Sequence, residues 1–356
     1  MIRKSIYLLL LLPCIAMGQD FQFSQYYEHH SLINPALTGT EQDIRAVLDT
    51  KSQWKKAAGK SYKTFGTAID GKVLKGTWEK EKKGQPKKYK TDVGRIGAGM
   101  SVYRDKAGDA GLSQLQLNGS VAAFLPVSKF SFLSCGVQAG WQWRRQEIVD
   151  LIYPNQYRPG GYDISTYNGE TLPADKYRFF DLSTGFMWAY GYSQKGFLYS
   201  KQMKARIGAA AYHLTTPKLR TLGNAAEDLK MKYVLHGDML FNYKKTDIGI
   251  NPNFVVQMQG KQLTAMAGVL VKYYLQHSQA HYTKFVKNTS VCGGLSYRTN
   301  DAISLTCLYE SEEKYAVGLS YDLNINGLRK ANHLRGGPEL MIRFTPSDYN
   351  PGPARD

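Results

Sequence analysis

The stretch YAVGLSYDLN, Tyr315–Asn324, decides the fold. Tyr315, Val317, Leu319, Tyr321 and Leu323 share one parity, while Ala316, Gly318, Ser320, Asp322 and Asn324 share the other. Successive side chains of a strand point to opposite faces, so an extended backbone here carries one apolar face and one small or polar face. In a water-soluble sandwich the apolar side would meet a protein core. In an outer-membrane barrel it would meet lipid, with the polar side lining a lumen.

The same alternation recurs along the chain. VGRIGAGMSVY (93–103) sets Ile96, Ala98, Met100 and Val102 against Arg95, Gly97, Gly99 and Ser101. LQLNGSVAAFL (115–125) sets Leu115, Leu117, Val121 and Leu125 against Gln116, Asn118 and Ser120. DIGINPNFVVQM (247–258) and LTAMAGVLVKYYL (263–275) behave alike, the second placing Thr264 and Lys272 inside. Reading the whole chain this way predicts about fourteen strands. The expected spans are 44–50, 61–70, 93–104, 112–125, 129–145, 178–191, 204–214, 231–243, 246–259, 263–275, 284–298, 302–309, 314–323 and 336–344. Several exceed the length usual for globular strands and suit the ~9–11 residues that a tilted strand needs to cross a bilayer.

Three features favour lipid over a soluble core. The inner parity is polar and rich in glycine, which would pack poorly as a core. Tyrosine is abundant, at 25 residues, and Tyr103, Tyr190, Tyr243, Tyr273, Tyr274, Tyr309 and Tyr321 fall near strand ends, as interfacial girdles do. The first residues, MIRKSIYLLLLLPCIAMGQD, read as a secretory signal peptide over 1–18: Arg3 and Lys4, an apolar run, then Ala16-Met17-Gly18. A lipoprotein reading through Cys14 is disfavoured by Pro13 before it. The expected organisation is therefore a signal peptide (1–18), an N-terminal segment (19–43), an all-β transmembrane antiparallel barrel of the outer membrane (44–344) and a C-terminal tail (345–356).

Connection lengths suggest an orientation, since periplasmic turns of such barrels are short and outer loops long. Residues 126–128, 244–245 and 310–313 then lie in the periplasm, and 146–177, 215–230 and 324–335 outside. The lysine-rich 71–92 breaks the rule by falling on the periplasmic side. Residues 51–90 hold thirteen lysines against Asp70, Glu79 and Glu81, within a chain of formal net charge +17. Lys80, Lys82, Lys83, Lys87, Lys88 and Lys90 are the candidate contacts for an acidic partner surface. An exported chain without a nucleic-acid-binding motif excludes nucleic acid as that partner.

No catalytic, cofactor-binding or metal set is expected. Cys135, Cys292 and Cys307 make no disulfide framework or zinc cluster. His277 and His281 fall in a predicted turn without a third ligand, and no Gly-x-Ser-x-Gly elbow occurs. The N-terminal segment QFSQYYEHHSLINPALTG (22–39) is a candidate plug for the periplasmic mouth, with Phe23, Gln25, Tyr26, Asn34 and Pro35 as its key residues. A barrel of this strand number leaves interior space that its own wall need not fill.

Particular residues resemble a family, the PorP/SprF membrane proteins of the Bacteroidetes type IX secretion and gliding systems. The opening is similar, with Gln22, Phe23, Ser24, Gln25 and Tyr26, then Asn34-Pro35-Ala36 and Gly39. So are Ser52-Gln53-Trp54, Asp105 and Gly108, YHLTTP (212–217), KYVLHGD (232–238) and INPNFVVQMQG (250–260). The close, GLSYDLNINGLRKANHLRGGPELMIRF, carries Ser320-Tyr321-Asp322, Gly336-Gly337 and Glu339. The resemblance implies a non-enzymatic outer-membrane barrel that binds, anchors or helps export cargo, such as adhesins with a C-terminal sorting domain. Its implied partners are that cargo, the periplasmic ring and lipoprotein components of the secretion machine, and outer-membrane lipid. The rival function on the same architecture is a porin or FadL-like channel for small or hydrophobic solutes.

Overall fold

The fold comes from a computed structural model that describes residues 21–41, 43–54, 61–78, 91–107, 112–128, 130–145, 154–163, 165–166, 176–191, 203–220, 226–243, 246–277, 288–311, 314–326 and 334–346. Fourteen strands form the wall: β1 (Ile44–Gln53), β2 (Tyr62–Trp78), β3 (Thr91–Ala107), β4 (Leu112–Pro126), β5 (Ser131–Arg145), β6 (Lys176–Tyr190) and β7 (Met203–Tyr212). The second half continues with β8 (Lys232–Asn242), β9 (Ile248–Gln259), β10 (Gln262–His277), β11 (Asn288–Arg298), β12 (Ala302–Ser311), β13 (Tyr315–Asn324) and β14 (Arg335–Phe344).

Each strand pairs antiparallel with its neighbours in sequence, and β1 closes the ring against β14 from Ala46↔Phe344 to Lys51↔Glu339. Closure matters because hydrocarbon offers no partner for a free backbone N–H or C=O. Two small hairpins, Tyr157–Arg158 with Gly161–Tyr162 and Lys218–Arg220 with Ala226–Asp228, sit in the connections β5–β6 and β7–β8. Among the described residues no helix is long and apolar enough to cross a membrane.

The opening stretch is β13, and its faces separate cleanly. Tyr315, Val317, Leu319 and Tyr321 are exposed on the outside; Ala316, Gly318, Ser320, Asp322 and Asn324 are buried inside. β12 and β4 alternate in the same way. The outer face is a continuous belt of large apolar side chains, among them Ile69, Met100, Val137, Phe186, Leu235, Leu295 and Ile342. Cys135 and Cys307 belong to that belt, whereas Cys292 points inward.

Five expectations are corrected. The connection expected over 71–92 shrinks to 79–90, because β2 runs on to Trp78 and β3 begins at Thr91. The ladder there carries register shifts at Lys72, Leu74 and Lys75; a bulge switches the parity, so alternation fails while pairing continues. For the same reason His277 is not in a turn: β10 continues to it past a shift between Tyr274 and Gln276. His281 lies outside the described residues.

Tyr103 is not part of an outer girdle. It shares the parity of Gly97, Gly99 and Ser101, and it is fully buried inside. Tyr274 also turns inward, to the Asn242 side chain. Connection lengths sort only in part: the end opposite the start of β1 has long connections (146–175, 213–231) but also tight ones at 260–261 and 299–301.

Candidate functional site

The inner wall does not face open water. Residues 21–41 lie within the barrel and make three short turns, a 3-10 turn at Tyr26–Glu28, one α-helical turn at His30–Ile33 and a 3-10 turn at Pro35–Leu37. The sequence explains the last of these. The Asn34 side chain accepts from the Ala36 N–H at 2.9 Å, and Pro35, with its fixed φ, occupies the first helical position. Gly39 then turns the chain with φ +69°, its α-carbon against the backbone of Gly71 and Gly97, where a side chain has no room.

The segment runs lengthwise through the lumen. Gln22 bonds Gln257 near the end of β9, and Lys51 Nζ, near the end of β1, reaches the Gln22 carbonyl at 3.1 Å. Toward the opposite end, Thr38 bonds Ser120 and the Gly39 N–H donates to Asp70 at 2.8 Å. Between them the chain touches most of the circumference.

Each of the five N-terminal candidates is placed by wall contacts. Phe23 is 1% exposed; it stacks on His29 of the segment at 4.2 Å between ring centroids and meets the wall at Gly66 of β2 and at Tyr103 of β3, the latter 6.3 Å between ring centroids. The Gln25 N–H donates to Glu339 of β14 at 2.8 Å, and its side chain lies over Gly318 of β13. Tyr26 donates to Asn253 of β9 at 2.6 Å. Asn34 bonds the Phe186 carbonyl of β6 and His236 of β8, both at 3.0 Å. Pro35 packs its carbonyl over Gly136 of β5.

The lumen glycines are therefore contact surfaces. Gly136, Gly185 and Gly208 face Pro35, Ala36 and Asn34 so closely that a Cβ at any of them would overlap the segment. Beside them, Ile33, Ala36 and Leu37 of the segment pack with wall residues Ala122, Phe124, Phe132, Met187 and Ala210 into an apolar cluster. Part of the interior is thus an ordinary hydrophobic core, a correction to the expectation of a uniformly polar inner face.

Two networks of buried charge hold the rest. In one, Arg45 bonds Glu28 at 2.6 Å and reaches Asp70 at 3.4 Å, while Arg343 bridges Glu28 at 2.7 Å and Glu310 at 2.6 Å. Lys272 pairs with Glu310, and Arg206 joins Glu41 to Asp238. In the other, Asp322 accepts from Lys51 (3.0 Å), Arg298 (2.9 Å), Ser24 (2.6 Å), Ser304 (2.6 Å) and Gln53 (3.1 Å). Charges taken from water this way need such multiple partners, since a lone one would be costly. Sequence reading missed these networks, although Arg45, Asp49 and Lys51 at alternate positions of β1 were a visible signal.

Lys80, Lys82, Lys83, Lys87, Lys88 and Lys90 lie outside the described residues. The strands on either side of them in sequence meet at the end of the barrel where β1 starts: β2 ends there at Trp78 and β3 begins there at Thr91. Among the described residues no group of His, Cys, Asp or Glu is arranged to hold a metal.

A closed fourteen-stranded barrel with a lipid-facing apolar belt and an occupied lumen defines a transmembrane β-barrel protein of the outer-membrane type. The family model described as "Type IX secretion system membrane protein PorP/SprF" matches residues 15–344. The chain belongs to the PorP/SprF family. No curated protein matches it significantly.

Among solved structures, the chain is similar to the TodX monoaromatic hydrocarbon channel mutant deltaS2S3 at 8% identity, covering 88% of this chain and 92% of that one, with a TM-score of 0.43. It is also similar to a Pseudomonas aeruginosa FadL homologue (9% identity, 85% and 88% covered, TM-score 0.38). A third likeness is BamA from Haemophilus ducreyi lacking POTRA domains 1-3 (9%, 85% and 69%, TM-score 0.40). At these scores the likenesses carry no argument about function.

Proposed function

We propose that this protein is an outer-membrane barrel of the type IX secretion system that binds, anchors or helps export cargo such as adhesins with a C-terminal sorting domain. It reaches that membrane through the signal peptide at 1–18 and performs no chemical reaction of its own. The observation that supports this reading is the occupied lumen. A segment bonded to strands around most of the wall, in part through buried ion pairs, obstructs the path that a porin or FadL-like channel would need. A rigid closed wall that presents loops needs no such path.

In this reading residues 20–39 act as a plug, and the lysines between Lys80 and Lys90 meet an acidic surface of the periplasmic machinery. Contacts of that kind are individually weak and screened by salt. Reversing the charge of Lys82, Lys83, Lys87 and Lys88 together is expected to reduce pull-down of ring or lipoprotein components.

The decisive experiment pairs two measurements. A strain lacking the protein is expected to release adhesin cargo into the medium, while the purified protein in liposomes passes no small solutes. Deleting residues 20–39 is expected to raise conductance in planar bilayers. Solute flux through the intact barrel with cargo retention unchanged in the deletion strain would instead establish the channel.

A further inference from the structure

The outer face of the wall is charged along one edge. Lys63 of β2 stands directly across the ladder from Lys106 of β3, Lys106 from Ser113 of β4, Ser113 from Arg145 of β5, and Arg145 from Lys176 of β6. The next row toward the middle of the wall is Phe65, Arg104, Leu115, Trp143 and Arg178. The row after that holds Leu117, Trp141 and Phe180. Lys63, Arg104, Lys106, Arg145, Lys176 and Arg178 are all exposed, on the parity of Phe65, Leu115 and Trp143 that meets lipid. None of Lys63, Arg104, Lys106, Lys176 and Arg178 has an ion-pair partner among the described residues.

The row carries a cost. Lys63 faces Lys106 and Arg145 faces Lys176, and like charges directly opposite on one face of an antiparallel pair destabilise it. An anion lying along the row, which is about 19 Å long at ~4.8 Å per strand spacing, would relieve both oppositions. The charge is also confined to one side and one end. At the same end, β8–β12 turn Tyr233, Met258, Leu263, Tyr297 and Ile303 outward. At the opposite end of β4–β6 the corresponding row is Leu125, Leu133 and Trp188. The charged end is the outward one: β1 starts and β14 finishes at the other, and the longest connections between wall strands, 146–175 and 213–231, leave from this one.

We propose that this patch binds a phosphorylated glycolipid of the outer leaflet, with its phosphates on the two cationic rows and its acyl chains on the apolar rows beneath. Arg104, Arg145 and Arg178 offer the planar fork that matches a phosphate, and the lysines add point charges beside it. Phe65, Leu115, Trp143, Trp141 and Phe180 continue the same face toward the bilayer interior, so one amphiphile meets charge and grease in the order its own structure presents them. A soluble acidic protein fits worse, because the Arg104 and Arg178 row is shared with lipid-facing side chains. The inference rests on the lipid-facing wall and is independent of cargo anchoring.

The test titrates the full-length protein, in a detergent with a neutral head group, with bisphosphorylated lipid A, dephosphorylated lipid A and phosphatidylglycerol, counting bound lipid by native mass spectrometry. Bisphosphorylated lipid A is expected to bind about tenfold or more tighter than either of the others. Lys106→Gln, Arg145→Gln and Lys176→Gln together should remove that advantage. Lys230→Gln with Lys261→Gln, exposed at the same end but outside the patch, should leave it unchanged. Because the triple substitution ends both like-charge oppositions, it should keep or raise heat resistance on gels without lipid A, which a loss through misfolding would lower. Should the triple variant fail to fold, Arg104→Gln with Arg178→Gln takes its place in the same comparison. The proposal is overturned if dephosphorylated lipid A or phosphatidylglycerol binds as tightly, if the folded variant retains lipid A as the parent does, or if a soluble polyglutamate peptide binds the patch and lipid A does not.

Discussion

Arg45, fully buried in the first strand, places one guanidinium nitrogen 2.6 Å from the Glu28 carboxylate and 2.7 Å from the Glu28 carbonyl. Wall and N-terminal segment are thereby joined by a charge pair with no access to water. Removing one partner of such a pair strands the other, which costs about 3–5 kcal/mol. Arg343 still faces Glu28, so Arg45→Met is expected near the lower end of that range. The folded band on unheated gels should be lost at a lower temperature than for the parent. Glu28→Gln combined with Arg45→Met should recover part of the difference, because the stranded carboxylate is gone.

Gly185 lies against the Asn34 amide so closely that any side chain there displaces the segment. Gly185→Leu is therefore expected to leave a folded barrel whose segment is loosened. Chymotrypsin should then cut at Tyr26 or Tyr27, which are inaccessible in the parent, and bilayer conductance should rise. Gly119 provides the control: nothing stands within 4 Å of a Cβ there, and Gly119→Ala should change neither measurement.

The strand count and the assignment of faces were legible because both rest on a local period of two, repeated in stretches such as Ala302–Ser311. Legibility failed where a bulge broke the period, as at Lys72 to Lys75, and where composition outvoted parity, as for Tyr103. The lumen contacts were out of reach for a different reason. Gly136 and Gly185 were visible as small inner residues, but what they accommodate is Pro35 and Asn34, more than a hundred positions away. A single sequence without pair information cannot join such positions. The charges of β1 could have hinted at it, since Arg45, Asp49 and Lys51 inside a barrel require counter-charges from somewhere.

Leu319 projects from the outer face of β13, 59% exposed, while Ser320 is buried and pairs with Thr306 at 3.2 Å. An arginine on a lipid-facing site costs ~2–4 kcal/mol near the bilayer midplane and little at its interfaces. Leu319→Arg is expected to lose that much stability in urea titrations of the protein in liposomes. Ser320→Ala, which forfeits one neutral hydrogen bond, should lose only about 0.5–1.5 kcal/mol. Equal stability of Leu319→Arg and the parent would mean that this face does not meet hydrocarbon.

Tryptophan emission tests the same belt without changing the wall. Trp141, Trp143 and Trp188 all sit on the outer face, between 37% and 39% exposed. Trp141 and Trp143 share β5, and Trp141 packs beside Phe180 of β6 at 6.2 Å. Heavy-atom quenching needs near contact, so lipids brominated along their acyl chains should dim these three indoles strongly, whereas acrylamide dissolved in water should reach them poorly. Replacing all three by phenylalanine should abolish most of the bromolipid effect and leave the barrel folded, since phenylalanine is equally at home on a lipid-facing strand. Strong acrylamide quenching with weak bromolipid quenching would put water where the apolar belt requires hydrocarbon, and the wall would then have to be packed against protein instead.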